Sequence, residues 1–156
     1  MPTIHPFLWF DDQAEAAMNF YVSVFEDSKI DQVMRYGEGG PGPAGSVMTA
    51  SFQLGGQRFT ALNGGPHFKF TEAVSFVVTC ADQAEVDRFW DKLSEGGAPG
   101  QCGWLKDKFG LSWQIVPSEM PELLGGPDPD KAKRAMEAMM KMTKLDIAAL
   151  KAAREG

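Results

Sequence analysis

A chain of 156 residues with 44% apolar and 23% charged residues holds one domain, or two small halves sharing a core, and is not a disordered chain. Its net charge of −6 disfavours non-specific nucleic-acid binding, which needs a basic face, and no apolar run is long enough to span a bilayer. Cys80 and Cys102 are too few for a disulfide framework and fit no zinc spacing, and Met1 to Phe10 lacks a signal peptide's basic flank and cleavage site, so a cytoplasmic protein with two reduced thiols is expected.

Ile4 to Phe10 reads as a strand, followed at once by Asp12-Gln13-Ala14-Glu15. That tetrapeptide predicts a helix start, with Asp12 as N-cap and Glu15 closing a capping box. Ala17, Met18, Tyr21, Val22 and Phe25 then recur at helical spacing. Ile30 to Tyr36 is a second strand, and Glu38 to Gly45 is a loop dense in Gly and Pro. Val47 to Leu54 and Gln57 to Leu62 form a hairpin around Gly55-Gly56.

The pattern then restarts. Ala73 to Cys80 is a strand, and Asp82-Gln83-Ala84-Glu85 repeats the earlier tetrapeptide at the same strand-to-helix junction. Val86, Phe89, Trp90 and Leu93 give the next helix its apolar stripe, and Gly96-Gly97 ends it. A Gly/Pro-rich segment leads to a hairpin of Trp104 to Lys106 and Leu111 to Val116, joined by a turn at Asp107 to Gly110. Alternation puts Leu111, Trp113 and Ile115 in the core and turns Ser112, Gln114 and Val116 the other way. Lys106, Asp107 and Lys108 read as a solvated charged turn, from which Lys106 could meet an anionic substrate. After Pro127-Asp128-Pro129, a helix over Asp130 to Met142 carries Ala132, Met136, Met139 and Met140 on one stripe, expected to cover the sheet or a dimer partner. Asp146 caps a final helix bearing Ile147, Leu150 and Ala153.

Each half thus reads β-α-β-β-β, and the repeat aligns His5 with Ser75, Phe7 with Val77, Trp9 with Thr79, and Thr60 with Gln114. Ile4, Leu8 and Phe10, and likewise Val74, Phe76 and Val78, are expected beneath the helices. The opposite face carries the polar exceptions His5, Thr60, Ser75 and Gln114. Two curved sheets offering such faces to each other would enclose a cleft.

These paired modules, His-Pro-Phe-Leu-Trp-Phe-Asp from His5, and Asp-Lys-Phe-Gly-Leu-Ser-Trp-Gln-Ile over 107–115 resemble the vicinal oxygen chelate superfamily. The similarity is strongest to its PhnB-like branch, often labelled 3-demethylubiquinone-9 3-methyltransferase-like. The resemblance implies an α+β, glyoxalase/bleomycin-resistance-like fold of two βαβββ modules with a C-terminal helical extension. On that reading the first module spans 1–63, a linker 64–72, the second module 73–120 and the extension 121–156, the two modules forming one domain. In metal-dependent members the ligands come from the first and last strands of each module, which here implies His5, a residue near Thr60, Ser75 and Gln114. Only His5 is a common transition-metal ligand, and a catalytic zinc site needs three good ones, so no metal cofactor is expected. The glycine-rich segments follow neither pattern that a doubly wound methyl-donor fold would need. Two functions follow from the resemblance. One is metal-independent binding of a small, partly apolar molecule in a pocket of His5, Trp9, Thr60, Asn63, Ser75, Trp104 and Gln114. The other is an isomerase, lyase or transferase in which His5 acts as general base, with Gln114 and Asn63 as polar anchors. A homodimer is implied, with neither nucleic acid nor membrane as partner.

Overall fold

In the computed structural model, which describes residues 1–156, the chain divides into two units, Met1–Lys69 and Phe70–Gly156. The first contains β1 (Phe7–Phe10), α1 (Ala14–Val24), β2 (Ser28–Arg35), β3 (Val47–Leu54) and β4 (Gln57–Asn63). Its sheet runs in the order β1-β4-β3-β2, with β1 parallel to β4 and the other pairs antiparallel. Period-2 alternation sends Leu8 and Phe10, Ala50 and Phe52, and Phe59 and Ala61 to one face, where they are buried with Ala17, Met18 and Tyr21 of α1. Phe52 stacks on Phe59 with ring centroids 5.5 Å apart.

The start of α1 differs from expectation. Gln13 is the N-cap and makes no side-chain capping bond. Asp12 lies one residue too early, and the acceptor comes from across the sheet: Asn63 Oδ1 takes the Ala14 N–H at 2.8 Å. Asn63 can do this because the parallel register sets it beside Phe10, at the end of β1. Its Nδ2 donates in turn to the Val47 carbonyl at 3.1 Å.

The second unit repeats the scheme with β5 (Ser75–Cys80), α2 (Gln83–Ser94), β6 (Ala98–Pro99), β7 (Trp104–Lys106) and β8 (Ser112–Pro117), in the order β5-β8-β7-β6. Here the tetrapeptide does cap its helix. Asp82 accepts from the Glu85 N–H at 2.9 Å, and Glu85 reaches back to the Ala81 N–H at 2.8 Å. Val86, Phe89, Trp90 and Leu93 of α2 are buried, as are Leu105, Trp113 and Ile115 of the sheet. The repeat holds to the residue. Phe7 pairs with Thr60 in the first unit, and its counterpart Val77 pairs with Gln114 in the second.

Ile4 and Val74 do not lie beneath helices. Both precede the first residue of their strand, and both are exposed. Cys80, at the end of β5, is fully buried. Burial, with Glu85 nearby, pushes its thiol pKa up to about 11. The folded state therefore holds this proton while the unfolded thiol has already lost it, so stability is complete below about pH 9 and falls as pH rises towards about 11, by roughly 2 kcal/mol. Cys80→Ala should flatten that alkaline loss in urea titrations, and a thiol reagent at pH 8 should label Cys102 alone in the folded protein. Labelling of both thiols at equal rates would contradict this.

The extension belongs to the second unit and forms α3 (Met120–Leu124), α4 (Pro129–Met139) and α5 (Ile147–Glu155). Met120, Leu123, Leu145, Ile147 and Leu150 make a cluster against which Val116, Ala138, Met139 and Met142 pack. The buried side of α4 is therefore Ala135, Ala138 and Met139, while Met136 and Met140 face outward, which corrects the expected stripe. The register of the stripe is set by α3 and α5, which pack on α4 and were not both visible as partners in the sequence.

Thr143 to Leu145, where the sequence shows only a helix break, is where the extension is fastened. Cys102 and Gly103 donate from their backbone to the Met142 and Thr143 carbonyls, each at 2.8 Å. Gln83 donates to the Leu145 carbonyl at 3.0 Å and accepts from the Ile147 N–H at 2.8 Å. Two arginines finish the helices, because free carbonyls at a helix C-terminus favour a cation. Arg134 donates to the carbonyls of Ala153 and Arg154, and Arg154 to those of Leu123 and Gly125 at 2.6 and 3.0 Å. Arg154→Ala is expected to cost about 2 kcal/mol in urea denaturation, with Arg154→Lys recovering only part. An unchanged midpoint would show that these bonds contribute nothing.

Candidate functional site

In each unit the sheet face opposite the helix carries the polar residues. In the first, His5 lies just before β1 and its Nε2 is 3.2 Å from the Thr60 hydroxyl of β4. Thr60 is 7% exposed, and Ser51 of β3 stands 3.4 Å beyond it. In the second, Gln114 of β8 donates from Nε2 to the Ser75 hydroxyl of β5 at 2.9 Å. The two pairs occupy equivalent places in the repeat, first strand to last strand. The structure thus brings His5 to Thr60 and Ser75 to Gln114, two contacts that match under the alignment of His5 with Ser75 and Thr60 with Gln114.

These four positions are poor metal donors. They offer one imidazole, two hydroxyls and one carboxamide, and nowhere do three or more His, Cys, Asp or Glu side chains gather as a metal site requires. Each is also bonded to its neighbour, the imidazole to the Thr60 hydroxyl and the amide to the Ser75 hydroxyl. Neither pair by itself fits a divalent transition metal.

Trp9 and Asn63 line a different space, a cavity of about 850 Å³ at the ends of β1 and β4, beneath the Gly/Pro-rich loop. Asp11, Asp12 and Glu15 stand on one side of it, with Arg35 paired to Glu15 at 3.6 Å. Trp9 and Leu62 supply an apolar wall. Trp9 is fixed by its indole N–H, which donates to the Gly65 carbonyl at 2.9 Å, and Gly64 lies flat on the ring. A Cβ at Gly64 would stand 2.4 Å from the indole, so any side chain there would displace Trp9. Tyr36 closes the other side by donating to the Asn63 carbonyl at 2.6 Å. Asn63 itself has both ends of its amide engaged with backbone.

Trp104 lines a second cavity, of about 470 Å³, within the second unit, together with Glu72, Gln101, Lys106, Ser112 and the backbone of β6. Lys106 is ion-paired with Glu72, and this hydrogen bond lowers the pKa of the Glu72 carboxyl. Lys106 is thus a charged group on the expected face, although it already holds an anion.

The turn that follows is not solvated as its charges suggest. Asp107 is 2% exposed. Its Oδ1 accepts from the N–H groups of Phe109 and Leu111 at 2.9 and 3.1 Å, and its Oδ2 from the indole N–H of Trp113 at 2.9 Å. Its carboxylate is the internal template of the turn. The signal was available: an Asp at a turn's first position bonds its own backbone two residues on.

The family model of 3-demethylubiquinone-9 3-methyltransferase matches residues 2–116. The chain belongs to this family. A PhnB protein from Bacillus cereus is 40% identical, with a TM-score of 0.69 over 75% of this chain and 100% of that one. The protein PA1353 from Pseudomonas aeruginosa, at 21% identity and TM-score 0.63, covers 75% of this chain and 98% of its own. FosX from Listeria monocytogenes, a fosfomycin resistance protein solved with Mn(II) and sulfate, is 12% identical with a TM-score of 0.54 over 78% of this chain and 93% of that one. The last two show the fold alone, that of the glyoxalase/bleomycin-resistance proteins. No curated protein matches the chain. The family match ends within β8, so the three helices of the extension lie beyond it.

Proposed function

We propose that this PhnB-family protein binds a small, partly apolar molecule on the helix-free faces of its sheets, without a resident metal. The observation that carries the reading is the donor set at the four positions where the resemblance implies metal ligands: one imidazole, two hydroxyls and one amide, bonded in pairs. The cavity of the second unit, with Ala98, Pro99, Trp104 and Leu105 as apolar wall and Glu72, Gln101, Lys106 and Ser112 as polar groups, supports it, since such a mixture suits small-molecule sites. Mn(II) belongs to the FosX protein solved with it. A ligand-library thermal-shift screen tests the proposal, because binding to the native state must raise its stability. Several related compounds should raise Tm in the presence of a chelator. A library in which none does so would overturn it.

The second reading is an enzyme, an isomerase, lyase or transferase using His5 as base. His5 keeps its ring nitrogen beside a buried hydroxyl, which favours this reading. Against it, no carboxylate pairs with the ring, and Asn63 is committed to the start of α1. Neither sheet is the doubly wound parallel array that binds methyl donors in the common fold, so the methyltransferase in the family's description finds no support in the architecture.

A homodimer in the cytoplasm completes the proposal. Phe7 and Val77, at equivalent places on the helix-free faces, are more than half exposed, and Phe68 is also exposed. Large apolar side chains left in water at such symmetric positions favour a partner surface. No helix is long and apolar enough to cross a membrane. Sedimentation at micromolar concentration should give twice the chain mass, and a monomer at every concentration would contradict the dimer.

A further inference from the structure

The cavity beside β6 and β7 contains one feature that folding does not explain. Ser112 is 1% exposed, and its hydroxyl is buried with no hydrogen-bond partner in the protein. A hydroxyl in that state lowers stability relative to alanine, because its water bonds are lost and nothing replaces them. It shares the lining of the cavity with three side chains that carry N–H donors. The antiparallel register sets Lys106 directly opposite Ser112 and Trp104 opposite Gln114, so all four side chains project from the same face. Lys106 brings an ammonium, Ser112 a hydroxyl, and Gln101 and Trp104 further N–H donors along the lining. Glu72 is the one anion among the lining residues, and it is held by Lys106. It reaches in from the segment ahead of β5, with its side chain 61% exposed.

We infer that this cavity is a subsite for the carboxylate of an apolar organic acid, with Lys106 and Ser112 taking the carboxylate and Trp104 the apolar body, and with Glu72 as the internal carboxylate that the ligand displaces. The inference rests on the small-molecule reading above and gives it a ligand class. A carboxylate exchanging for Glu72 swaps like for like at Lys106, so the ammonium is never left without a partner. The added gain is the bond to Ser112, whose hydroxyl is buried without a partner and turns about its Cα–Cβ bond into the cavity to make it, a bond that Glu72 does not make. A volume of about 470 Å³ accommodates a fused bicyclic acid. The indole of Trp104, half-buried in the lining, offers a flat apolar surface for its ring.

The test compares 1-naphthaleneacetate with the neutral 1-naphthaleneacetamide, following the Ser112 amide and the Trp104 indole N–H by NMR. The acid should shift both resonances and bind about tenfold more tightly than the amide, in line with a charge-assisted pair. Lys106→Met should abolish that preference. Ser112→Ala should weaken the acid about fivefold while raising Tm, a combination that a structural hydroxyl would not give. Glu72→Gln removes the competitor from an exposed position and should tighten the acid several-fold, so the proposal does not depend on loss-of-function variants alone. Equal binding of acid and amide, no shift at either resonance, or unchanged affinity in Glu72→Gln would each overturn the inference. If library compounds still raise Tm while these probes fail, the subsite alone is wrong. If no compound raises Tm, the small-molecule reading falls with it.

Discussion

Asp107→Ala should lower the stability of the second unit by about 4 kcal/mol, the largest effect expected of any single side chain outside the apolar core. Three donors converge on this carboxylate, two from the backbone of its own turn and one from the indole of Trp113. Removing it leaves buried N–H groups with no acceptor, and each such group costs about 1–3 kcal/mol when water cannot replace the bond. The sum is reduced because the turn will relax, but a small domain has only about 5–15 kcal/mol in total. Asp107→Asn separates charge from shape. The amide can still accept at Oδ1, but the second position becomes an NH₂ that faces the Trp113 N–H as donor against donor. About half of the alanine effect is expected. Lys108→Ala, in the same turn but with its side chain over the Phe109 ring, is the control. Urea titrations followed by tryptophan fluorescence give all three values. An Asp107→Ala midpoint equal to that of the control would show the network to be energetically idle.

Gly97→Ala should have nearly as large an effect, for a steric reason. The residue stands where the chain leaves α2 and enters β6, against the end of β7. A Cβ there would lie 2.1 Å from the Lys106 carbonyl oxygen and 2.7 Å from the Asp107 carbonyl carbon. Both are backbone atoms of a paired strand and cannot rotate away as a side chain can. A cost of about 3 kcal/mol is expected, at the upper end for overpacking. The relief would come from β6 moving off β7, and β6 is bound there only through Ala98 with Lys106 and Pro99 with Leu105. The variant should therefore also speed hydrogen exchange at the β6–β7 pairing beyond the global change. Gly40→Ala, whose Cβ would meet nothing closer than 3.3 Å, should stay within about 0.5 kcal/mol of the parent protein. A Gly97→Ala protein as stable as that control would mean that the close approach is not maintained in solution.

The sequence made the architecture legible because duplication wrote the same βαβββ pattern twice. Strand alternation places Trp113 and Ile115 in the core, and the internal alignment makes His5 equivalent to Ser75 and Thr60 equivalent to Gln114, while the contacts of His5 with Thr60 and of Ser75 with Gln114 are seen only in the fold. What stayed hidden depended on partners distant in the chain. The identical tetrapeptides begin helices differently, because Asn63 arrives beside the first helix and takes the role that Asp82 and Glu85 fill at the second. Asp107 is one charge among three in a turn; its bonds to the turn backbone follow from its position, but its bond to the Trp113 indole depends on the packed sheet. Of the methionine stripe Met139 packs inward, while Met136 and Met140 face outward, because α4 packs on neighbours whose own placement is set by Gln83 and by the Cys102-Gly103 backbone. Strand alternation says of Ser112 only that it faces away from Trp113 and Ile115. Its lack of a partner is a property of the packed sheet and has no sequence signature.

The central claim is binding without a metal. Its most direct measurement takes the compound that gives the largest thermal shift and repeats that shift on untagged protein before and after exhaustive dialysis against a chelator, with metal content determined on both samples. The expected result is an unchanged shift and far less than one equivalent of nickel, zinc, manganese or iron in either sample. Near-stoichiometric metal before dialysis, with the shift lost on its removal and restored on its return, would contradict the claim and return His5 to the role of a ligand.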